Sequence, residues 1–251
     1  MALLSFLGLL IGLGTVAYVL WDGGIITVFF NLNAVILVFG GTLGATMITY
    51  PWKIVKQLPK AWWIVFFPRK HRDPQEVIEW MMDIQQVAYT GSIDDVDQNS
   101  IDDRFLRSGI RLLIEEQEEA DVREELETEV IHGRQRSQRI IDVFRAMGDF
   151  APVFGLLGTL IGIVQVLKHL GDPTLMGTYM ALAITTTFYG IFGSNFIFLP
   201  TAGKLDGYSE DGLIIQELII VGVLSMRRRE RPSVMRRRLE RFVARRVKAK
   251  T

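Results

Sequence analysis

Residues 183–196 read AITTTFYGIFGSNF, in which three consecutive threonines, two glycines and an asparagine interrupt an otherwise apolar stretch. The stretch lies in one of four runs that contain no Asp, Glu, Lys or Arg: residues 2–20, 23–52, 150–167 and 173–203. A helix of about 20 residues crosses the hydrocarbon core of a bilayer. The sequence therefore predicts an all-α, polytopic membrane protein with four transmembrane helices and a helical cytoplasmic domain.

The composition agrees with a membrane protein that has cytoplasmic parts. Of the 251 residues, 49% are hydrophobic and none is cysteine. The first run lacks a basic start and a small-residue cleavage site, so we predict a retained span and not a signal peptide. Without cysteine neither a disulfide framework nor a thiolate metal site forms, which is typical of soluble parts in the cytoplasm.

The distribution of charge predicts the orientation in the membrane. The 28 basic and 28 acidic residues cancel overall, but basic residues follow the second run and precede the third. The positive-inside rule assigns such residues to the cytoplasm, so both termini are predicted to be cytoplasmic and two short turns to face outward. The predicted division is a transmembrane hairpin over 1–52, a cytoplasmic helical domain over 53–148, a second transmembrane hairpin over 149–203, and a cytoplasmic helix with a basic tail over 204–251.

The polar insertion is predicted to be helical. Apolar periodicity and flanking breakers predict helices over residues 76–89, 101–119 and 121–147. Acidic residues dominate 94–129. Two interpretations of this acidic run stay open, a solvated helical surface and a docking surface for a basic partner.

The C-terminal part is predicted to stay outside the membrane. Residues 211–226 are apolar but include Glu217, whose carboxylate would cost about 2.5–3.5 kcal/mol near mid-membrane, so we predict a buried cytoplasmic helix. Residues 227–250 hold twelve basic and two acidic residues, which predicts contact with anionic membrane lipids. No aromatic platform or folded nucleic-acid motif accompanies this tail, so no nucleic-acid partner is predicted.

No enzyme motif supports a catalytic function. The sequence contains no phosphate-binding loop, zinc-protease motif or serine-hydrolase motif. His71, His132 and His169 are too scattered to suggest a metal site. We predict no enzyme activity, no metal site and no cofactor.

Small and hydroxyl-bearing residues recur at helical spacing in the last two runs. Such stripes let helix backbones approach closely in a membrane, where packing drives association. The stripes are Ala183, Thr186, Thr187, Gly190, Gly193, Ser194 and Ile197 in the fourth run, and Gly155, Gly158, Thr159, Gly162 and Gln165 or Val166 in the third. Two interpretations follow: helix packing alone, with each threonine bonded to its own helix, or a shared polar path for an ion. Because none of the runs contains a carboxylate, an ion path would need one from a partner.

The segments VFRAMGDFAPVFGLLGTLIGIVQVLKHLGDP (143–173) and MALAITTTFYGIFGSNFIFLPTAGKL (180–205) resemble the MotA/PomA stator family of flagellar motors, within the larger MotA/TolQ/ExbB group. The resemblance implies a bacterial inner-membrane protein that forms a ring, a homopentamer, around a dimer of a MotB/PomB-like partner. That partner has one span with a membrane aspartate and a peptidoglycan-binding domain. Proton or sodium flow is then expected to turn the ring and drive the rotor through a FliG-like switch protein.

The resemblance also implies roles for individual residues. Thr159, Thr186 and Thr187 correspond to channel-facing threonines close to the partner's aspartate. Pro152 and Pro200 correspond to prolines that couple ion flow to motion. We predict that Pro152 occupies the first turn of a helix and that Pro200 ends or kinks the fourth span.

One position departs from the family pattern, and two alternative functions stay open. Ala88 stands three residues before Gly91, where the resemblance implies an arginine, so the predicted rotor contact is reduced to its acidic half, Asp94 and Asp95. The alternatives are an ExbB/TolQ-like energy-transducing subunit that drives a non-flagellar process, and a structural membrane scaffold. Proteins like ExbB and TolQ typically have three spans, which argues against the first. The sequence leaves the coupling ion, proton or sodium, open.

Overall fold

The computed structural model describes residues 2–24, 26–66, 73–93, 96–97 and 101–250, and this part of the chain contains helices and no strand. The all-α prediction is therefore confirmed. The helices are α1 (Ala2–Asp22), α2 (Ile26–Phe29), α3 (Leu32–Val35), the π-helix π1 (Ile36–Gly40), α4 (Gly41–Thr49), α5 (Trp52–Val55), α6 (Leu58–Phe66), α7 (Pro74–Thr90), α8 (Arg104–Ile114), α9 (Glu119–Lys168), α10 (Pro173–Phe192), the π-helix π2 (Gly193–Phe198), α11 (Leu199–Arg227) and α12 (Pro232–Lys250).

The chain forms two compact units. Unit 1 comprises Met1–Pro68 and Gln138–Asp206, and unit 2 comprises Arg69–Ser137 and Gly207–Thr251. Helices α9 and α11 contribute residues to both units.

Three helical stretches in the described part of the chain are long and apolar enough to cross a membrane: Leu32–Thr49, Glu119–Lys168 and Pro173–Arg227. Helix α1 has 21 residues and lies over the first predicted span. The count of four spans stays a prediction.

The second predicted span is interrupted near its start. Helix α2 ends at Phe29 and α3 begins at Leu32, with Asn31 between them as the N-cap whose side chain accepts from the Ala34 N–H at 3.2 Å. Carbonyl groups freed by such a break need donors within a membrane. The hydroxyl of Tyr189 donates to the Phe29 carbonyl. The Thr185 hydroxyl lies 3.5 Å from the Val28 carbonyl but donates to the Ala181 carbonyl of its own helix at 2.6 Å.

Two π-helical segments pack against each other in unit 1. Phe39 belongs to π1, and its ring lies 6.3 Å from the Phe198 ring of π2, centroid to centroid. A Cβ atom on Gly193, the first residue of π2, would lie 3.2 Å from the Phe39 ring. The wide turns of the two segments therefore meet through an aromatic ring and a glycine.

The prediction that a helix ends at residue 147 and that Pro152 occupies a first helical turn is wrong. Helix α9 begins at Glu119, close to the predicted start, and continues without interruption to Lys168, so Pro152 lies in its interior. An interior proline removes the N–H that would bond to the carbonyl four residues earlier. That carbonyl belongs to Gly148, and it accepts a hydrogen bond from the Ser194 hydroxyl at 2.7 Å. The neighbouring segment thus supplies a donor in place of the one that Pro152 lacks.

Pro200 also fails to end a helix. Helix α11 begins at Leu199 and continues to Arg227, directly after π2. Wide π-turns and prolines both disturb the regular bonding pattern and occur together at irregular points of long helices. The helix therefore does not end at Pro200, and a kink of the fourth span at this proline stays a prediction.

Unit 2 has its own apolar core. Fully buried side chains from α7, α8, α9 and α11 meet there, among them Ile78, Ile110, Leu126 and Leu218, and α12 packs against α7 and adds Leu239. The predicted helix over 76–89 is confirmed as α7. Helix α8 is shorter than the predicted 101–119.

The segment 211–226 forms a buried part of α11, as predicted. Leu218, Ile219 and Val223 are buried in the core of unit 2. Glu217 forms an ion pair with Arg246 of α12, so its carboxylate has a charged partner within this unit. Unit 2 also contains an ion pair between Glu119 and Arg228, and the Arg228 guanidinium lowers the pKa of the Glu119 carboxyl.

The predicted rotor-contact residues Asp94 and Asp95 lie outside the described residues.

Candidate ion path in the helix hairpin

Helices α9 and α10 approach each other at backbone distance along the predicted stripes. A Cβ atom on Gly155 would lie 2.9 Å from the Thr186 carbonyl oxygen, and one on Gly162 would lie 2.9 Å from the Tyr179 carbonyl oxygen. From the other helix, a Cβ atom on Gly190 would lie 2.7 Å from the Ala151 carbonyl oxygen. The small residues therefore serve packing between these two helices, as the stripes predicted.

Two of the three predicted path residues meet across this interface. The hydroxyl oxygens of Thr159 and Thr187 are in direct hydrogen-bond contact. The Thr159 hydroxyl also lies 3.1 Å from the carbonyl of Ala183 and 3.2 Å from that of Gly155. Thr187 lies 3.5 Å from the same Ala183 carbonyl. The hairpin thus gathers hydroxyl and carbonyl oxygens at one point, and both threonines are half-buried.

Thr186, unlike the adjacent Thr187, does not take part in the contact with Thr159 in the hydrogen bonds described. It is fully buried, and its hydroxyl donates to the Ala183 carbonyl of its own helix at 2.9 Å. A Cβ atom on Gly158 would come within 2.5 Å of the Thr186 Cβ. Within this chain, Thr186 fills the space that Gly158 leaves, and its hydroxyl is turned to the backbone.

Large apolar side chains flank the oxygen cluster on the surface of unit 1. Leu156, Leu160 and Ile184 are exposed, and Leu160 retains 55% of its accessible surface. Exposed apolar surface of this extent marks contact with lipid or with other protein chains. The half-buried threonine pair lies among these residues along the two helices.

The two amide residues of these spans, Asn195 and Gln165, lie apart from the threonine pair. Asn195 is exposed, and its amide donates to the Ile191 carbonyl of its own helical run at 3.0 Å. Gln165 is half-buried, and its backbone carbonyl lies 2.8 Å from Nδ1 of His169. Neither side chain joins the Thr159–Thr187 contact in the hydrogen bonds described.

The two predicted coupling prolines lie near different elements. Pro152 is half-buried, and its Cα lies 3.1 Å from the position of a Cβ on Gly190. Pro200 is exposed and follows π2. Pro152 thus packs on Gly190, which together with Ser194 contacts α9, and Pro200 follows later in the same helical run.

Sequence reasoning missed the residues that tie the spans together. Tyr189 and Ser194 donate to carbonyls of other helices, at Phe29 and Gly148, whereas the Thr185 hydroxyl donates to the Ala181 carbonyl of its own helix at 2.6 Å. Pro152 was the one available signal, because an interior proline leaves the carbonyl of residue 148 in need of a donor. The register that places Ser194 there does not follow from the sequence pattern.

The chemistry of the cluster is that of neutral oxygen ligands. Hydroxyl and carbonyl oxygens replace part of the hydration shell of a cation in a membrane path. Among the described residues no group of three or more His, Cys, Asp or Glu side chains lies close enough to hold a metal ion. The cluster offers neutral oxygens, and an ion path along it would need a charged group from elsewhere.

Comparison with known proteins identifies relatives over almost the whole chain. Residues 97–217 match the model of the MotA/TolQ/ExbB proton channel family. The chemotaxis protein PomA of Vibrio alginolyticus is 30% identical over 239 residues, which cover 94% of this chain and 92% of that protein.

Two solved structures share the fold. The C. jejuni MotAB structure superposes with a TM-score of 0.88 at 22% identity and covers 96% of each chain. The flagellar MotAB stator complex from Bacillus subtilis superposes with a TM-score of 0.81 at 27% identity, over 92% of this chain and 93% of that one. Since the likeness extends over sequence and fold, the chain belongs to the MotA/TolQ/ExbB proton channel family, in which its relatives include PomA.

Proposed function

We propose that this chain is the ion-channel-forming stator subunit of a bacterial flagellar motor, which converts proton or sodium flux into torque together with a MotB-like partner. The Thr159–Thr187 contact carries the proposal, because it places paired hydroxyls between two apolar helical stretches, 150–167 and 173–203, that contain no carboxylate. A partner with one membrane-embedded carboxylate completes such a path. The relatives PomA and MotAB support the flagellar role.

In this proposal Thr159 and Thr187 contact the ion, and Thr186 holds the helix backbone next to them without contacting the ion. Thr186 is fully buried against Gly158, so its side chain fixes the backbone that presents Thr187. Pro152 contacts Gly190 and Pro200 follows π2, and in this proposal they couple ion passage to movement of the helices. The carbonyl of Ala183, within 3.1 Å of the Thr159 hydroxyl, contributes a further oxygen.

Assembly and location follow from the same proposal. The chain forms a homo-oligomer, a pentamer, around the partner in the bacterial inner membrane, with both termini in the cytoplasm. Asp94 and Asp95 engage a FliG-like rotor protein, without the arginine that Ala88 replaces. The basic residues of α12 contact anionic lipid headgroups.

A flux measurement tests the proposal against its rivals. The chain is co-expressed with a candidate one-span partner, purified as a complex and reconstituted into vesicles, where proton and sodium uptake are followed. The proposal predicts uptake that is lost in Thr187→Val and in a partner that lacks its membrane carboxylate. A stable complex without uptake of either ion supports the scaffold alternative, and uptake without any effect on motility supports the ExbB/TolQ-like alternative.

A further inference from the structure

Pro152 leaves one backbone carbonyl in the interior of α9 without its usual hydrogen-bond donor. The carbonyl of Gly148 lies one helical turn before Pro152 and receives no backbone N–H from it, because proline has none. Gly148 is buried, and a Cβ atom on it would lie 2.6 Å from the Leu199 side chain. A buried carbonyl without a donor destabilises the helix that contains it.

Ser194 supplies a donor from the neighbouring element. It is the second residue of π2, retains 3% of its accessible surface, and donates to the Gly148 carbonyl at 2.7 Å. Other hydroxyls of this hairpin, such as those of Thr178 and Thr186, donate to carbonyls of their own helix. The Ser194 hydroxyl crosses between elements and replaces what Pro152 removes.

The Ser194–Gly148 hydrogen bond is the first of a series of contacts that continues, turn by turn, to the Thr159–Thr187 oxygen cluster. One turn before Ser194, Gly190 packs on Ala151 and Pro152 at backbone distance. One turn further, Thr187 meets Thr159. A change in the register at Gly148 is therefore transmitted along two rigid helical turns to the threonine pair.

We propose that Ser194 is a positioning residue of the ion path, whose hydroxyl substitutes for the backbone donor lost at Pro152 and thereby fixes the register in which Thr159 meets Thr187. The link to conduction rests on the proposed function. The link to helix register does not, and it is measured separately.

The register is measured by disulfide cross-linking. The chain contains no cysteine, so Thr159→Cys/Thr187→Cys introduces one thiol pair at the position of the hydroxyl contact. With the full chain and its partner in membranes, the rate of disulfide formation under a mild oxidant is followed by loss of maleimide-reactive thiols. Adding Ser194→Ala is expected to slow the reaction by roughly fivefold or more, because a buried acceptor then lacks its donor. Ser194→Thr, which keeps the hydroxyl, restores the rate.

Ser225→Ala is the matched control. Ser225 is also buried, but its hydroxyl donates at 3.0 Å to the Val221 carbonyl of its own helix in unit 2. This variant is expected to leave the cross-linking rate unchanged. An unchanged rate in Ser194→Ala, or an equal fall in Ser225→Ala, overturns the proposal.

A double-mutant cycle tests the substitution for Pro152 directly. Pro152→Ala restores a backbone N–H that donates to Gly148, so Ser194→Ala should slow cross-linking much less in that background. An equal effect in both backgrounds contradicts the assigned role of the hydroxyl.

Vesicle flux separates this proposal from the proposed function. We expect Ser194→Ala to reduce ion uptake and Ser194→Thr to restore it. Full uptake in Ser194→Ala alongside lost uptake in Thr187→Val overturns the role of Ser194 and leaves the proposed function standing. Full uptake in both variants overturns the proposed function, and with it the role of Ser194 in conduction.

Discussion

At the scale of single residues, the hairpin distinguishes three neighbouring threonines by what their hydroxyls contact. Thr185 and Thr186 both donate to carbonyls of their own helix, at Ala181 and Ala183. Only Thr187 of the three contacts Thr159 in the hydrogen bonds described. One helix thus turns two of the three adjacent hydroxyls to its own backbone and the third to the candidate path.

The threonine pair gives the first prediction. Thr159→Val and Thr187→Val keep the side-chain shape but remove an oxygen, so each should lower ion uptake roughly tenfold or more, as expected for loss of a hydrogen bond to a charged species. Uptake is measured in vesicles with equal amounts of assembled complex. Thr187→Ser, which keeps the hydroxyl, should retain most of the flux.

Thr46→Val serves as the control for that prediction. Thr46 is fully buried and its hydroxyl donates to the Thr42 carbonyl of its own helix at 2.7 Å, away from the pair. Equal loss of flux in Thr46→Val and Thr187→Val would contradict a specific role of the pair, because removal of any buried hydroxyl would then be sufficient to lower the flux.

Thr186→Val should also impair conduction with assembly intact, and loss of the complex in that variant would make Thr186 a packing residue.

At the scale of elements, glycines set the distance between α9 and α10. Gly155, Gly162 and Gly190 each leave space that backbone of the other helix occupies. Backbone atoms cannot rotate away as a flexible side chain does, so an added methyl group must move a whole helix. Close helix contact is what a membrane interface without a hydrophobic driving force requires.

Gly190→Ala is therefore expected to destabilise the hairpin by about 1–3 kcal/mol, the usual cost of forcing a methylene into a packed interface. The measurement is thermal unfolding of the detergent-solubilised complex. Gly177→Ala in the same helix is the control, because a Cβ atom there meets nothing within 4 Å. Similar melting temperatures for the two variants would contradict the close approach.

The elements also show what sequence pattern predicts and what it does not. The i, i+3, i+4 spacing of small residues was sufficient to predict the contact faces of α9 and α10. The uninterrupted course of α9 past Pro152 was not predictable from local rules, because the replacement donor is Ser194, 46 residues away. The break at Asn31 is of the same kind, since the Phe29 carbonyl accepts from Tyr189, which is distant in the chain.

At the scale of the whole molecule, hydropathy and charge predicted the class of protein, while the number of crossings depends on α1. Three helical stretches meet the length and hydropathy of a span within the described residues, and α1 precedes them. The part of α11 within unit 2 shows why apolarity alone is insufficient to identify a transmembrane span. Residues 211–226 are apolar because they form a core, and Glu217 pairs with Arg246 there.

The four-span topology is tested by labelling single cysteines, since the natural chain has none. A membrane-impermeant maleimide should label Gly171→Cys, in the turn between α9 and α10, in intact spheroplasts. It should label Thr128→Cys and Ala2→Cys only after the membrane is permeabilised. Labelling of Ala2→Cys from outside would show that α1 does not cross, and that the protein has three spans.

We predict that this chain generates torque by partner-dependent ion flow. The most direct measurement is co-expression with its one-span partner in a host that lacks its own stator, with swimming speed recorded in sodium-rich and sodium-free media. We predict swimming with the natural chain and none with Thr187→Val at equal abundance in the membrane, and dependence on sodium would identify the coupling ion. Absence of swimming in both media, despite a stable complex in the membrane, would contradict the claim.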